Sequence, residues 1–256
     1  MMSLALLLTA CGDGGTAAPD AGPDAPYLAG DWSCVGVERP NRASDPLALT
    51  GKLGNEAGAL LGGASVEIHR NGDNALLGST ITADTNLSRG GYRVDVATGG
   101  VAPSIYRKFT ATGYLDLYAI DPMPQTQTFS EYSAMVTQAN VDALYQAVGM
   151  TPDPTKGVIA MQIYDCALPG SPLPVHPVAG ATIDGPPGST VLYANLAGQF
   201  DVVSIDRGET LASGMAVLLN VPPGVADITV HAGPVTYRPW PVEVFAGSTM
   251  WMPRHP

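Results

Sequence analysis

Cysteine is the residue type with the clearest capacity for chemistry in this chain, which has three: Cys11, Cys34 and Cys166. If Cys11 is modified, Cys34 and Cys166 remain as an even pair. That pair could form a disulfide, remain as two buried thiols or include a reactive thiol, although neither residue has the helix-start or basic neighbourhood that activates a thiol. In the chain-entropy model, a Cys34–Cys166 disulfide would stabilise the fold by about 4 to 5 kcal/mol.

The other chemically capable residues are scattered. The chain has no His-Glu-x-x-His segment, nucleophile elbow, phosphate-binding loop or Cys-x-x-Cys pair. The acidic loops at 184–188 and 206–209 have too few converging oxygens in sequence for a calcium site. We therefore expect no catalytic residues, no metal ligands and no cofactor. We also expect no metal-binding or catalytic role for the four histidines, His69, His176, His231 and His255. Two of them, His69 and His231, fall on outward strand positions.

Three aromatic residues near the C-terminus are candidates for direct ligand contact. Tyr237, Trp240 and Trp251 could form a platform on which sugar rings stack. Aromatic residues late in a β-sandwich usually fill its ends instead. A module that binds polysaccharide or peptidoglycan is therefore the alternative function that the sequence leaves open.

The residues before Cys11 predict export. The apolar run Ser3–Leu8 is too short to cross a hydrocarbon core of about 30 Å as a helix. It is followed by the small residues Thr9 and Ala10, which favour a signal-peptide cleavage site. The stretch Leu8-Thr9-Ala10-Cys11 resembles the lipobox of bacterial lipoproteins. That resemblance implies a signal peptide at 1–10, a lipid on Cys11 and attachment to the cell envelope, on the outer-membrane, periplasmic or surface side.

Residues 11–30 are predicted to form a disordered tether, because Gly, Ala, Pro and Asp predominate and little apolar surface can be buried. As a flexible coil it would span roughly 25 Å. The net charge of −11 argues against a nucleic-acid partner, since Arg107-Lys108 is the only adjacent basic pair. We expect attachment to the membrane through the lipid on Cys11 alone.

The rest of the chain predicts an all-β fold. Thirty Gly and 23 Pro with only 14% charged residues are typical of many short strands and turns. Apolar residues alternate at 64–69, where His69 would face solvent, and again at 91–96. Several such strands at short spacing indicate a β-sandwich.

Four short motifs carry a further resemblance. They are Gly63-Ala64-Ser65-Val66, the Thr80–Asp84 turn, Gly91–Val94 and Gly113-Tyr114. Together they resemble the carboxypeptidase regulatory-like domain, a small transthyretin-like Greek-key β-sandwich without catalytic residues of its own. Gly180-Ala181-Thr182-Ile183 repeats the first motif, and the segment 213–224 resembles a strand and Pro-Pro-Gly turn of the same family. The resemblance implies two sandwiches in tandem.

A short helix is predicted between them. Thr137 can cap it, and Gly149 lies where a left-handed C-terminal residue is expected. An apolar stripe at helical spacing should pack on a neighbouring sandwich: Val141, Leu144, Tyr145 and Val148.

The predicted organisation is thus a first sandwich at 31–124, a connector with a short helix at 125–151 and a second sandwich at 152–256. The function that this pattern favours is a lipid-anchored, non-enzymatic envelope or surface protein. It would present its modules to a protein partner or serve a structural role. A cell-wall glycan is the alternative partner.

Overall fold

A computed structural model describes residues 32–37, 41–85, 87–121, 124–166 and 176–256. The predicted signal peptide, Cys11 and the tether lie outside these ranges. The described part of the first half contains strands β1 (Leu47–Asn55), β2 (Ser65–Arg70), β3 (Leu76–Ile81), β4 (Gly91–Val96), β5 (Ile105–Thr110), β6 (Leu117–Ile120) and β7 (Phe129–Met135).

Helix α1 (Gln138–Ala147) leads into the second half. There the strands are β8 (Gly157–Ile163), β9 (Ala181–Asp184), β10 (Thr190–Tyr193), β11 (Met215–Val221), β12 (Gly224–Ala232), β13 (Val235–Thr236), β14 (Trp240–Val244) and β15 (Thr249–Arg254). The predicted all-β fold is confirmed.

The first half is a sandwich of two sheets. One has the order β4-β1-β7, with β1 antiparallel to β4 and parallel to β7. The other contains β6-β5-β2-β3, all antiparallel. The interval 125–151, predicted as a connector, therefore also contains the strand β7. Apolar side chains that alternate along the strands form the core between the sheets: Leu49, Leu53, Val66, Ile68, Val94 and Phe109.

The second half repeats this pairing. Strand β8 is antiparallel to β11 and parallel to β15, as β1 is to β4 and β7. Strand β12 pairs with β9 and β14, as β5 pairs with β2 and β6. The inward positions Ile228 and Val230, and Val242 and Val244, are buried as their alternation predicts. The short strand β10 extends the first of these sheets beside β11.

The two sandwiches share one sheet. Strand β15 pairs in parallel with β6 of the first sandwich as well as with β8. The result is an eight-stranded sheet in the order β10-β11-β8-β15-β6-β5-β2-β3. Aromatic rings pack beside this junction, where Tyr118 stacks on Phe245 with ring centres 3.9 Å apart. The halves are therefore joined by main-chain hydrogen bonds and by packing.

The sequence repeat at residues 63 and 180 corresponds to a repeated hydrogen-bond motif. In the first sandwich the buried Thr82 hydroxyl accepts from the Ala64 N–H at 2.9 Å and donates to the Leu61 carbonyl at 2.8 Å. In the second, the buried Thr210 hydroxyl accepts from the Ala181 N–H at 2.9 Å and donates to the Val178 carbonyl at 2.7 Å. Each threonine thus satisfies one donor and one acceptor at the same place in its sandwich.

The predicted helix is confirmed with its cap. Thr137 forms a capping box with Asn140, and Gly149 has the left-handed φ of 68° that ends the helix. The predicted stripe from Val141 to Val148 is buried against Leu192, Met215, Val217 and Leu219 of the second sandwich. Helix α1 therefore covers the outer face of the sheet that contains β8 and β11.

Candidate functional site

The strongest concentration of charge is a cluster inside the first sandwich, formed by Arg107, Asp121, Glu131 and Tyr92. We call it the buried charge cluster. Arg107 on β5 lies between the core residues Ile105 and Phe109 and is 1% exposed. One of its guanidinium nitrogens, Nη2, lies 2.5 Å from Asp121 Oδ1 and 2.8 Å from Glu131 Oε2. The other terminal nitrogen donates to the Tyr92 hydroxyl at 3.3 Å.

The position of each member follows from the strands. Glu131 on β7 lies opposite Gly51 of β1, and Tyr92 on β4 is paired with the other side of the same glycine. A Cβ atom at Gly51 would lie 2.5 Å from the Tyr92 hydroxyl, so the absence of a side chain there leaves space for the phenol. Asp121 directly follows β6. Glu131 also accepts from the Ser133 hydroxyl at 3.1 Å.

Burial dominates the electrostatics of the cluster. It raises the pKa of Asp121 to about 7, although Arg107 acts in the opposite direction. Burial disfavours the charged form of Arg107, but the charges of Asp121 and Glu131 raise the pKa of that side chain well above its ordinary value. Burial also raises the pKa of Tyr92 to about 12. The cluster can therefore take up a proton near neutral pH.

The cluster is closed to substrates. The side chains of Arg107 and Asp121 are 2% and 5% exposed, and both sheets of the sandwich cover them. The cluster can therefore bind a proton and hold the strands of the core in position, but it cannot act on a substrate. The equivalent positions of the second sandwich are apolar and buried. Their register places Ile228 at the position of Arg107, Val242 at that of Asp121 and Met252 at that of Glu131.

Sequence reasoning missed this cluster, although one signal was present. Arg107 is in phase with Ile105 and Phe109 in the alternation of β5, and an inward arginine requires a carboxylate partner. Its partners, Asp121 and Glu131, are 14 and 24 positions away in the chain. No local pattern connects them.

The predicted disulfide is confirmed. Cys34 and Cys166 are bonded, with their Cα atoms 5.5 Å apart. Trp32 packs edge-on against the ring of Tyr237, whose centre is 6.3 Å away. The segment 32–37 precedes the first sandwich in the chain, yet these contacts fasten it to the second sandwich just after β8. We call this end of the molecule the attachment end.

The predicted aromatic candidates are separated by the fold. Tyr237 is fully buried, and its hydroxyl donates to the Tyr164 carbonyl at 2.7 Å. Trp251 on β15 is half-buried between the core of the first sandwich and the apolar cluster under helix α1. Trp240 begins β14, which belongs to another sheet. The structure therefore does not bring Tyr237 and Trp251 together as an exposed platform for a ligand.

The histidines have local partners. His69 stacks on Tyr106, and His231 Nε2 lies 3.0 Å from the carboxylate of Asp184. His176 Nδ1 lies 3.2 Å from the buried carboxylate of Asp165. His255 Nδ1 contacts the Asp165 carbonyl at 3.1 Å. These last contacts fix the C-terminal end of β15 beside the disulfide.

The described residues also bear on metal sites and membrane spans. Within the described ranges, no group of three or more His, Cys, Asp or Glu side chains is arranged to hold a metal ion. No helix in those ranges is long and apolar enough to span a membrane. A groove of about 260 Å³ lies between α1 and the loop before β8, where Val141 and Tyr145 meet Pro152 and Asp153.

No protein-family model matches this chain, and no curated protein matches it in sequence. Among solved structures, it is similar to a 9R-lipoxygenase from Cyanothece (TM-score 0.27, 12% identity, 38% of this chain and 18% of that chain). It is also similar to the TIE protein of Bacillus anthracis (TM-score 0.26, 12% identity, 83% of this chain and 34% of that chain). A third similarity is to the shaft pilin SpaA of Lactobacillus rhamnosus GG (TM-score 0.23, 10% identity, 83% and 97%). At these TM-scores the similarities carry no argument about function.

Proposed function

We propose that this chain is a lipid-anchored, non-enzymatic protein of the bacterial cell envelope. It carries two β-sandwich modules of the transthyretin-like type on a tether that starts at Cys11. The modules serve a structural role or bind a protein partner.

The observation that carries this proposal is the Cys34–Cys166 disulfide. Disulfides persist in exported proteins and are rare in the reducing cytosol. The bond also pairs two of the three cysteines and leaves Cys11, the residue in the lipobox-like stretch, for modification. The disulfide and the N-terminal motif thus independently favour export.

The location of the buried charge cluster supports a non-enzymatic role. Active sites typically combine perturbed pKa values with a cleft that a substrate can enter. Here Asp121 has the strongly perturbed carboxyl group, but it lies inside a sandwich core with its side chain 5% exposed. Such a group contributes to folding and its pH dependence, whereas surface strands and loops remain for contacts with partners.

Metabolic labelling with a clickable fatty acid tests the anchor, together with mass spectrometry of the N-terminal peptide. We expect the label in the natural chain and its complete loss in Cys11→Ser. Cys34→Ser is the matched control, because it removes another N-terminal cysteine and should keep the label. A natural chain whose Cys11 is recovered unmodified from the membrane fraction would refute lipid anchoring.

A further inference from the structure

Exposed aliphatic side chains are concentrated at the attachment end. Six of them lie in only two segments, the one that carries Cys34 and the loop at 195–206: Val35, Val37, Leu196, Val202, Val203 and Ile205. Val202 is the most exposed of the six, at 70%. Concentrated apolar exposure of this kind marks an interaction surface. We call these six residues the aliphatic end.

Strand pairing places both segments at one end of the second sandwich. Cys166, which holds Cys34, follows the C-terminal end of β8. The last residues of β8 pair with the start of β11, where Gln162 lies opposite Met215. The Met215 carbonyl accepts from the N–H of Ala194, at the beginning of the loop. The chain therefore reaches the folded body at the end where the 195–206 loop projects.

Hydrogen bonds within the loop hold its apolar side chains outward. Asn195 accepts from the N–H groups of Ala197 and Gln199, both at 3.0 Å. Asp201 accepts from the Val203 N–H at 3.2 Å, and the Ser204 N–H donates to the Asp201 carbonyl at 2.9 Å. Phe200 is buried in the apolar cluster under helix α1 and anchors the loop to the folded body. Because the loop is ordered in this way, contact through its valines carries little entropic cost.

Charged groups of both signs lie at this end, whereas the whole chain has a net charge of −11. Arg207 lies 3.2 Å from Asp201 and also donates to the Tyr193 carbonyl at 3.1 Å. Burial alone would raise the pKa of Asp201, but the hydrogen bond from Arg207 lowers it, so this carboxylate stays ionised and paired. Asp206 and Glu209 carry further negative charge at the end of the loop. Anionic headgroups gain nothing from this arrangement, whereas neutral ones are tolerated.

We propose that the aliphatic end contacts the interfacial region of a bilayer with zwitterionic headgroups, the same bilayer that holds the lipid on Cys11. This inference rests on the proposed lipid anchor. A tether of about twenty residues lets the body either leave the membrane or lie against it. The aliphatic end selects the second arrangement, because burial of apolar area adds to the binding that the anchor provides. The second sandwich then lies nearest the membrane.

Methyl NMR of the natively lipidated full chain on nanodiscs of phosphatidylcholine tests this contact. A fraction of the phosphatidylcholine carries a spin label in its acyl chain, which broadens the signals of nearby methyl groups. We expect Val202, Val203 and Ile205 to lose several-fold more signal than Ile81 and Val225. These two are internal controls. They are 68% and 69% exposed, but they lie at the strand ends opposite the attachment end.

Val202→Ser/Val203→Ser/Ile205→Ser provides the matched variant. It should keep its lipid, as mass spectrometry will show, and should reduce the broadening at Val35 and Val37 to the level of the controls. Uniform broadening in the lipidated natural chain, or broadening only at Ile81 and Val225, would overturn the inference and leave the anchor intact. An unlipidated Cys11 would instead refute the proposed function, and the membrane contact with it.

Discussion

The two sandwiches of this chain share their strand pairing and differ in what they bury. Equivalent hydrogen bonds set the register, since the Leu53 N–H donates to the Gly90 carbonyl and the Ile163 N–H to that of Gly214, both at 2.8 Å. In this register the first sandwich has a polar set: Gly51, Tyr92, Arg107, Asp121 and Glu131. The second has an apolar set in the same places: Met161, Ala216, Ile228, Val242 and Met252.

The second sandwich shows that this strand pairing does not need the charges. The second sandwich has apolar side chains at the equivalent positions, where the pair of Met161 with Ala216 replaces the pair of Gly51 with Tyr92. Buried ion pairs often contribute no more stability than well-packed apolar residues, because desolvation offsets their attraction. The buried charge cluster therefore adds a dependence on pH and on intact pairing to the first sandwich.

Breaking the cluster at its cation should have the largest effect. Arg107→Met leaves Asp121 and Glu131 buried without their shared partner, at a cost of about 3 to 5 kcal/mol in the free energy of unfolding. Urea denaturation measures this change. Arg93→Met is the control, because the ion pair of Arg93 with Asp95 is exposed and should contribute less than about 1 kcal/mol. Equal losses in the two variants would contradict the role assigned to Arg107.

The shared threonine motif should respond equally in both sandwiches. Thr82→Val and Thr210→Val each leave a buried N–H and a carbonyl without the hydroxyl, which costs about 1 to 3 kcal/mol. Thermal and urea denaturation of the two variants should give closely similar losses. A large loss in one variant with none in the other would show that the motifs are not energetically equivalent.

The buried charge cluster should also make the stability of the first sandwich depend on pH. Folding raises the pKa of Asp121 from 3.8 to about 7, so the folded chain keeps a proton that the unfolded chain releases between these values. This contribution to stability is therefore greatest at acidic pH and is lost as the pH rises through 7, at up to about 1.4 kcal/mol per pH unit. Asp121→Asn should lack that slope when unfolding is measured from pH 4 to pH 8. A slope that persists in Asp121→Asn would assign the proton to another group.

Local patterns predicted much of the fold. Alternation identified the strands at 64–69 and 91–96, and Thr137 with its apolar stripe identified the helix. The cysteine count favours a Cys34–Cys166 disulfide over free thiols, and the structure contains that bond. Strand β7 was missed because Glu131 and Ser133 occupy inward positions, so its alternation does not look apolar.

The remaining features depend on contacts between distant residues. The parallel pairing of β15 with β6 joins residues more than 130 positions apart, and no local motif encodes it. The sequence likewise offered no reason to bring Asp121 and Glu131 to Arg107. The sequence leaves Tyr237 as either a ligand contact or a residue that fills a sandwich end, because composition does not show which end is closed, and the structure buries it.

Transplanting the interior of the second sandwich into the first tests the central comparison most directly. The variant is Tyr92→Phe/Arg107→Ile/Asp121→Val/Glu131→Met, and its free energy of unfolding is compared with that of the natural chain and of Arg107→Met. Gly51 is kept, because a Cβ atom there would lie 2.6 Å from the main-chain oxygen of Glu131. Since the register is equivalent, we expect this four-residue variant to fold with unchanged or higher stability, by up to about 4 kcal/mol. A four-residue variant that unfolds as readily as Arg107→Met would contradict the equivalence of the two cores.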